Sequence, residues 1–168
     1  MSQLTYELPD GGSVSIEEGQ PYGEAVRAIG EGLRRNALAV KVDGVNHALD
    51  EIAAGGGKLE VITRNSEAGY ETLRHSTAHL MAWAVQELYP GVKFAFGPDI
   101  ENGFYYDFDR DEPFTEEELA TIEAKMAELA RRDVPVERAA GAREEAERIF
   151  ADHPYNLHQI APPDDNDA

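Results

Sequence analysis

His75 and His79 stand four residues apart, in the run His75-Ser76-Thr77-Ala78-His79-Leu80. Residues at i and i+4 are neighbours on a helix surface. At about 100° per residue, His75, His79, Ala82 and Gln86 fall within roughly 60° of one another. Leu73, Leu80, Ala84, Val85 and Leu88 take the opposite side, so the two imidazoles sit off the apolar stripe. Two imidazoles so placed can share a metal ion, or one can activate a water while the other holds a substrate. The spacing is equally met by two solvent-facing histidines with no chemistry. A zinc site on His75 and His79 needs a third ligand. The later histidines, His153 and His158, and the carboxylate of Asp107 are the candidates. Position 76 is Ser, so the acidic base of an HExxH helix is missing and a stand-alone zinc hydrolase is poorly supported.

The helix that carries the pair is expected from about Tyr70 to Leu88, ended by Tyr89-Pro90-Gly91. Upstream, residues 1–63 form a small α/β unit. Leu4, Tyr6 and Leu8 alternate, Pro9-Asp10-Gly11-Gly12 turns, and Val14 and Ile16 alternate again, which is a hairpin pattern. Ala25, Val26, Ile29 and Leu33 follow at helical spacing. Leu38 to Val42, Val45 to Leu49 and Leu59 to Ile62 are expected strands. The order β-β-α-β-β-β suggests a β-grasp, ubiquitin-like module. Gly55-Gly56-Gly57-Lys58 lacks the spacing of a phosphate loop and has Leu59 where Ser or Thr belongs, so a plain turn is expected.

Residues 64–69 are polar and contain a glycine, which marks a linker. Beyond the helix, Lys93 to Phe96 and Phe104 to Phe108 are expected strands. Thr115 and Glu118 form a capping box. It opens a helix to about Arg132 with Leu119, Ile122, Met126 and Leu129 on one stripe. A shorter helix is expected from Arg143 to Phe150, and 161–168 as a frayed tail. The expected fold class is α+β, with the second domain, 70–160, incomplete.

The chain has 168 residues and a formal net charge of −18, with 11 Arg, 4 Lys and no Cys. Residues 101–168 alone carry 19 acidic against 7 basic side chains. Phosphate contacts need clustered Lys and Arg, so RNA binding by the chain at large is not expected. An acid-rich, lysine-poor surface suits salt-rich cytosol, and ordinary solvated surface explains it as well. No stretch of 18 apolar residues occurs, so no membrane span is expected. No secretory signal is visible at the N-terminus. The absence of cysteine removes disulfides and thiolate ligands and fits a cytoplasmic protein.

The His75 to Leu80 run is followed by Tyr89-Pro90, by Lys93-Phe94-Ala95-Phe96-Gly97-Pro98, and by Glu101-Asn102-Gly103-Phe104-Tyr105-Tyr106-Asp107. These segments closely resemble the editing domain of bacterial-type threonyl-tRNA synthetases. Leu8-Pro9-Asp10-Gly11 and Val40-Lys41-Val42-Asp43-Gly44 resemble the TGS module that precedes it there. The resemblance reaches to about Ile160. It implies an N-terminal part of a ligase that joins threonine to its tRNA and hydrolyses serine mistakenly attached to that tRNA. It places His75 and His79 in the editing pocket, positioning water and the terminal ribose. Tyr106 lines that pocket with its hydroxyl toward substrate, while Tyr105 packs on the other face of the strand. ATP, magnesium and a zinc ion would serve the catalytic domain, outside this sequence. The partner implied is the tRNA for threonine, with a homodimer in the whole enzyme and a monomer for this piece.

Two departures stand out. The family completes its site with a later Cys-x-x-x-His segment, which this sequence does not contain. The family also has Lys after Pro-Tyr near the end of this region, where Asn156 follows Pro154-Tyr155 here. The piece alone is therefore expected to be weakly active or inactive. The alternative is a freestanding TGS-containing binding or regulatory protein without catalysis.

Overall fold

A computed structural model describes residues 2–136 and 141–160, with backbone alone at 158 and 159. The chain divides into two compact units between Leu73 and Arg74.

The first unit is built on a five-stranded mixed sheet. β1 (Gln3–Glu7) and β2 (Ser13–Glu17) form the expected antiparallel hairpin, with Leu4 opposite Ile16 and Tyr6 opposite Val14. The turn is set by Gly11 at φ 83° and by Asp10, whose Oδ1 accepts from the Gly12 amide at 2.9 Å. Asp side chains make such turns because the carboxylate satisfies a backbone N–H two residues on. The helix expected as one stretch through Leu33 is two: α1 (Tyr22–Ile29) and α2 (Glu31–Asn36), parted where Gly30 is extended. β3 (Ala37–Val42), β4 (Val45–Ala48) and β5 (Gly57–Thr63) complete the sheet in the order β2-β1-β5-β3-β4, with β1 and β5 parallel. Tyr6, Ile16, Tyr22, Val26, Val40 and Leu59 are buried together between sheet and helix.

Of the glycine run expected as a plain turn, Gly55 and Gly56 lie in the loop before β5, while Gly57 and Lys58 open that strand. A side chain on Gly56 would collide with the Thr5 carbonyl of β1. The Lys58 amide donates to Asp43 Oδ1 at 2.9 Å. A carboxylate thus occupies the place a phosphate would need.

The second half of the expected linker at 64–69, residues 67–69, belongs to the helix itself. α3 runs Glu67–Leu88, three residues earlier than the periodicity placed it. The reason is local: Ser66 Oγ accepts from the Gly69 amide at 3.1 Å and donates to the Thr63 carbonyl at 2.8 Å. A serine there satisfies one of the helix's orphan donors and starts the helix at once.

In the second unit the expected long strands are short. β6 (Lys93–Phe94) pairs with β9 (Phe108–Asp109), and β7 (Asp99–Ile100) with β8 (Gly103–Phe104). Between them Asp107 faces two residues: its carbonyl accepts from Ala95 at 3.0 Å and its amide donates to Phe96 at 2.6 Å. Two residues opposite one is a bulge, which interrupts a regular ladder. α4 (Glu116–Arg131) begins with the expected capping box, both of its hydrogen bonds present. α5 (Arg143–Ile149) agrees with expectation, and α6 (Pro154–Gln159) is additional. Pro154 sits at its first turn, where its missing N–H has no helical partner to lose.

Ala84, Val85, Phe94, Ile122 and Leu129 are buried together here. Leu119, expected on the buried stripe of α4, is 53% exposed, and Leu73, expected on the apolar side of α3, is 40% exposed. The frayed tail, 161–168, lies outside the described residues. Among the described residues no helix is long and apolar enough to cross a membrane.

Candidate functional site

α3 carries His75 and His79 on successive turns of its exposed side. Their Nε2 atoms are 3.1 Å apart, with ring centroids at 4.7 Å and planes at 77°. A neutral imidazole has one N–H and one lone pair, so one ring donates and the other accepts. Burial, and then the nearness of His75, pull the His79 pKa below the ordinary imidazole value. Both effects disfavour the charged form. His79 therefore holds its lone pair at pH values where a free histidine is protonated.

Tyr106 comes to this pair from the segment between β8 and β9. Its ring meets His79 edge-on at 6.4 Å and lies parallel to Phe108 at 5.2 Å, while Phe94 closes the far side edge-on at 6.3 Å. Burial pushes the phenol pKa up, so the hydroxyl keeps its proton. Among the described residues that hydroxyl has no hydrogen-bond partner. Gly97 lies directly beneath the ring, where any side chain would collide with it. Tyr105, expected to pack, is instead 45% exposed.

His75, His79, Gly97, Tyr106 and Asn156 line one cavity of about 310 Å³. A neighbouring cavity of about 240 Å³ shares His79, Tyr106 and Asn156 and adds Trp83, Gln86 and His153. α6 delivers Asn156 to the wall. That helix is fastened by the Tyr155 hydroxyl, which donates to Asp109 Oδ2 of β9 at 2.9 Å.

The three residues expected to do chemistry, His75, His79 and Tyr106, thus share a cavity. The further ligands proposed for a metal do not gather around the pair. Asp107 spends its backbone on the bulge and has an exposed side chain. The ring of His153 lies against Phe94 and Phe150, and the side chain of His158 is outside the described set. Among the described residues no three His, Cys, Asp or Glu are arranged to hold a metal. Two imidazoles alone do not make a zinc site, and no chemistry is assigned to a metal here.

Asp99 is the residue that spacing missed: its Oδ1 lies 4.0 Å from His75 Nδ1. It sits in a β7–β8 hairpin that no periodicity foreshadowed. Gly97 is a second site residue that spacing did not indicate.

No family model matches the chain. Among curated relatives, the threonine–tRNA ligase of Rubrobacter xylanophilus is 45% identical over 156 residues, which cover 93% of this chain and 24% of the relative. That of Rhizobium rhizogenes is 44% identical over 153 residues, 90% of this chain and 23% of the relative. That of Granulibacter bethesdensis is 49% identical over 146 residues, 86% of this chain and 23% of the relative. The chain spans about a quarter of the length of the curated relatives it matches. With identities this high over nearly all of its length, the chain is a relative of the bacterial-type threonyl-tRNA synthetases and matches their N-terminal region.

Proposed function

We propose that this chain contributes to the editing centre of a threonyl-tRNA synthetase, where serine wrongly esterified to the tRNA for threonine is hydrolysed. One observation carries the reading: the HxxxH pair, Tyr106 and Asn156 line a single cavity, in a chain similar to threonine–tRNA ligases. A threonine pocket cannot strongly reject serine by binding, because one missing methyl is worth only about 1–3 kcal/mol. A second, hydrolytic site supplies the remaining discrimination.

The chemistry asked of the cavity is ester hydrolysis. Water adds to the ester carbonyl carbon, and a neutral imidazole takes the proton that the water loses. His79 suits that task through its depressed pKa. The intermediate then expels the ribose hydroxyl, which recovers a proton from the same pair. Tyr106, held protonated, offers a donor to the substrate. Among the described residues the cavity walls carry no Lys or Arg, so the chain alone should hydrolyse weakly. Basic surface that meets the tRNA would lie in the rest of a synthetase.

The strand order and the helix following the first hairpin support reading residues 1–63 as a TGS-like β-grasp module. The whole protein would work in the cytoplasm, on tRNA.

The test is a chimera in which this segment replaces the matching quarter of the Rubrobacter xylanophilus enzyme. It should charge threonine and clear seryl-tRNA, and His75→Ala or His79→Ala should abolish clearance without abolishing threonine charging. A chimera that charges threonine yet accumulates seryl-tRNA as the histidine variants do would sink the editing reading. It would leave a binding module without catalysis in its place.

A further inference from the structure

We infer that Asp99 is a positioning residue for the histidine pair: its carboxylate beside His75 Nδ1 selects the tautomer of His75, and through it the direction in which the His75–His79 hydrogen bond carries its proton. The consequence for hydrolysis rests on the editing reading above; the tautomer does not.

Both atoms of the His–His hydrogen bond are Nε2. In the neutral pair only one of them carries a hydrogen, so two arrangements compete. A carboxylate next to His75 Nδ1 attracts a hydrogen on that nitrogen and repels a bare lone pair. At 4.0 Å the contact is of ion-pair length rather than a direct hydrogen bond. The field acts at that distance, and one water suffices to join the two groups. With the hydrogen on Nδ1, His75 Nε2 is bare and accepts. His79 must then donate from Nε2, and its Nδ1 keeps the lone pair.

Three groups consequently act in order. A proton taken up at His79 Nδ1 makes that ring an imidazolium. It can release its Nε2 hydrogen to His75 Nε2, which leaves His79 neutral again. The positive charge then rests on His75, whose Nδ1 lies 4.0 Å from the Asp99 carboxylate. Protons balance at each step: His79 is left neutral with its hydrogen on Nδ1 and its lone pair on Nε2, and His75 carries the proton that His79 gave up.

Asp99 is well placed to hold this position. It pairs with Phe104 across the β7–β8 hairpin, its side chain is about one-third exposed, and His75 is 56% exposed. Among the described residues it is the one acidic side chain within 4.0 Å of a ring nitrogen of the pair. It faces Nδ1 of His75, while the two rings meet through their Nε2 atoms, which is the arrangement of a carboxylate that orients a histidine from behind.

The experiment is long-range proton–nitrogen NMR on the 168-residue chain labelled at histidine nitrogen, at a pH where both rings are neutral. The expected pattern is hydrogen on Nδ1 of His75 and on Nε2 of His79. Asp99→Ala should move His75 toward the Nε2–H form that free histidine prefers, with the His79 signals following, and Asp99→Glu should restore the original pattern in part. Backbone amide spectra report whether each variant is folded. If Asp99→Ala fails to fold, Asp99→Asn, of the same shape and without charge, gives the same reading. An Nε2–H His75 in the unsubstituted chain, or tautomers that ignore Asp99 substitution, would overturn the inference. In the chimera, Asp99→Ala should lower the rate constant for ester hydrolysis roughly tenfold with little change in KM. Tautomers that respond to Asp99 in a chimera without histidine-dependent hydrolysis leave this inference standing and remove the editing reading. Histidine-dependent hydrolysis with tautomers blind to Asp99 does the reverse.

Discussion

The ring of Tyr106 lies flat against the backbone of Gly97, so close that a Cβ at Gly97 would overlap ring atoms Cγ, Cδ2 and Cε2. The glycine is needed for space rather than for an unusual φ. It lets the phenol stand between Phe108 and His79, at the wall of the cavity.

Gly97→Ala should therefore push Tyr106 out of the wall. Overpacking of this kind costs about 1–3 kcal/mol, measurable by denaturant unfolding of the isolated chain. In the chimera it should reduce seryl-ester hydrolysis about as much as Tyr106→Ala does. The double variant should be no worse than either single one, because both remove the same contact. Additive losses would show that Gly97 acts elsewhere.

The depressed pKa of His79 sets the acid side of the rate profile. The neutral form is the base, so hydrolysis in the chimera should persist below the ordinary histidine range of about 6.5 before it falls. The linkage has a matching sign. Between the folded and unfolded pKa values the unfolded chain takes up the proton that folded His79 refuses. Stability should thus decline as pH drops below about 6.5, and His79→Gln should remove that part of the decline. An acid limb at or above the ordinary value contradicts the assignment.

Arg110 and Glu118 tie the approach to α4. Arg110 donates to Glu118 Oε1 at 2.7 Å and lies over the rings of Phe114 and Tyr89. The guanidinium first, and then the Thr115 amide, bring the Glu118 carboxyl down to about 2. A depressed carboxyl stabilises the fold above its unfolded pKa, and that contribution is lost as pH falls toward about 2. Glu118→Gln should lower the urea midpoint at neutral pH and lose its effect at the acid end of a pH series.

Asn156 occupies the wall where the family resemblance led us to expect lysine. Asn156→Lys would place a cation in a cavity whose walls carry no Lys or Arg among the described residues. A charge there is worth about 1 kcal/mol toward an anionic substrate at solvated distances, or roughly fivefold in KM. Kinetics of the chimera would read it. An unchanged KM would mean that the side chain at 156 does not face the bound tRNA end.

Gly56 and Lys58 separate two meanings of one glycine run. Gly56→Ala drives a Cβ into the Thr5 carbonyl and should destabilise the first unit by about 1–3 kcal/mol. Lys58→Ala should stay within about 0.5 kcal/mol of the parent, as exposed substitutions usually do. A large loss at Lys58, with phosphate protecting the parent from unfolding, would restore a phosphate-loop reading.

What the amino-acid order determined unaided is what depends on near neighbours. The alternation of Leu4, Tyr6, Val14 and Ile16 specified the first hairpin. Thr115 and Glu118 specified the start of α4. The four-residue step from His75 to His79 made them surface neighbours on a helix. Each is a matter of backbone period or of a side chain meeting an amide within one turn. The tertiary structure decided what lies opposite. Ser66 drew the start of α3 back to Glu67 through contacts with Gly69 and Thr63. The bulge at Asp107 broke the expected strands. Asp99, Gly97 and Asn156 joined the histidines through a hairpin and a short helix that have little periodic pattern of their own. Residues far apart in sequence meet only because loops and packing bring them together, and no local period encodes that distance.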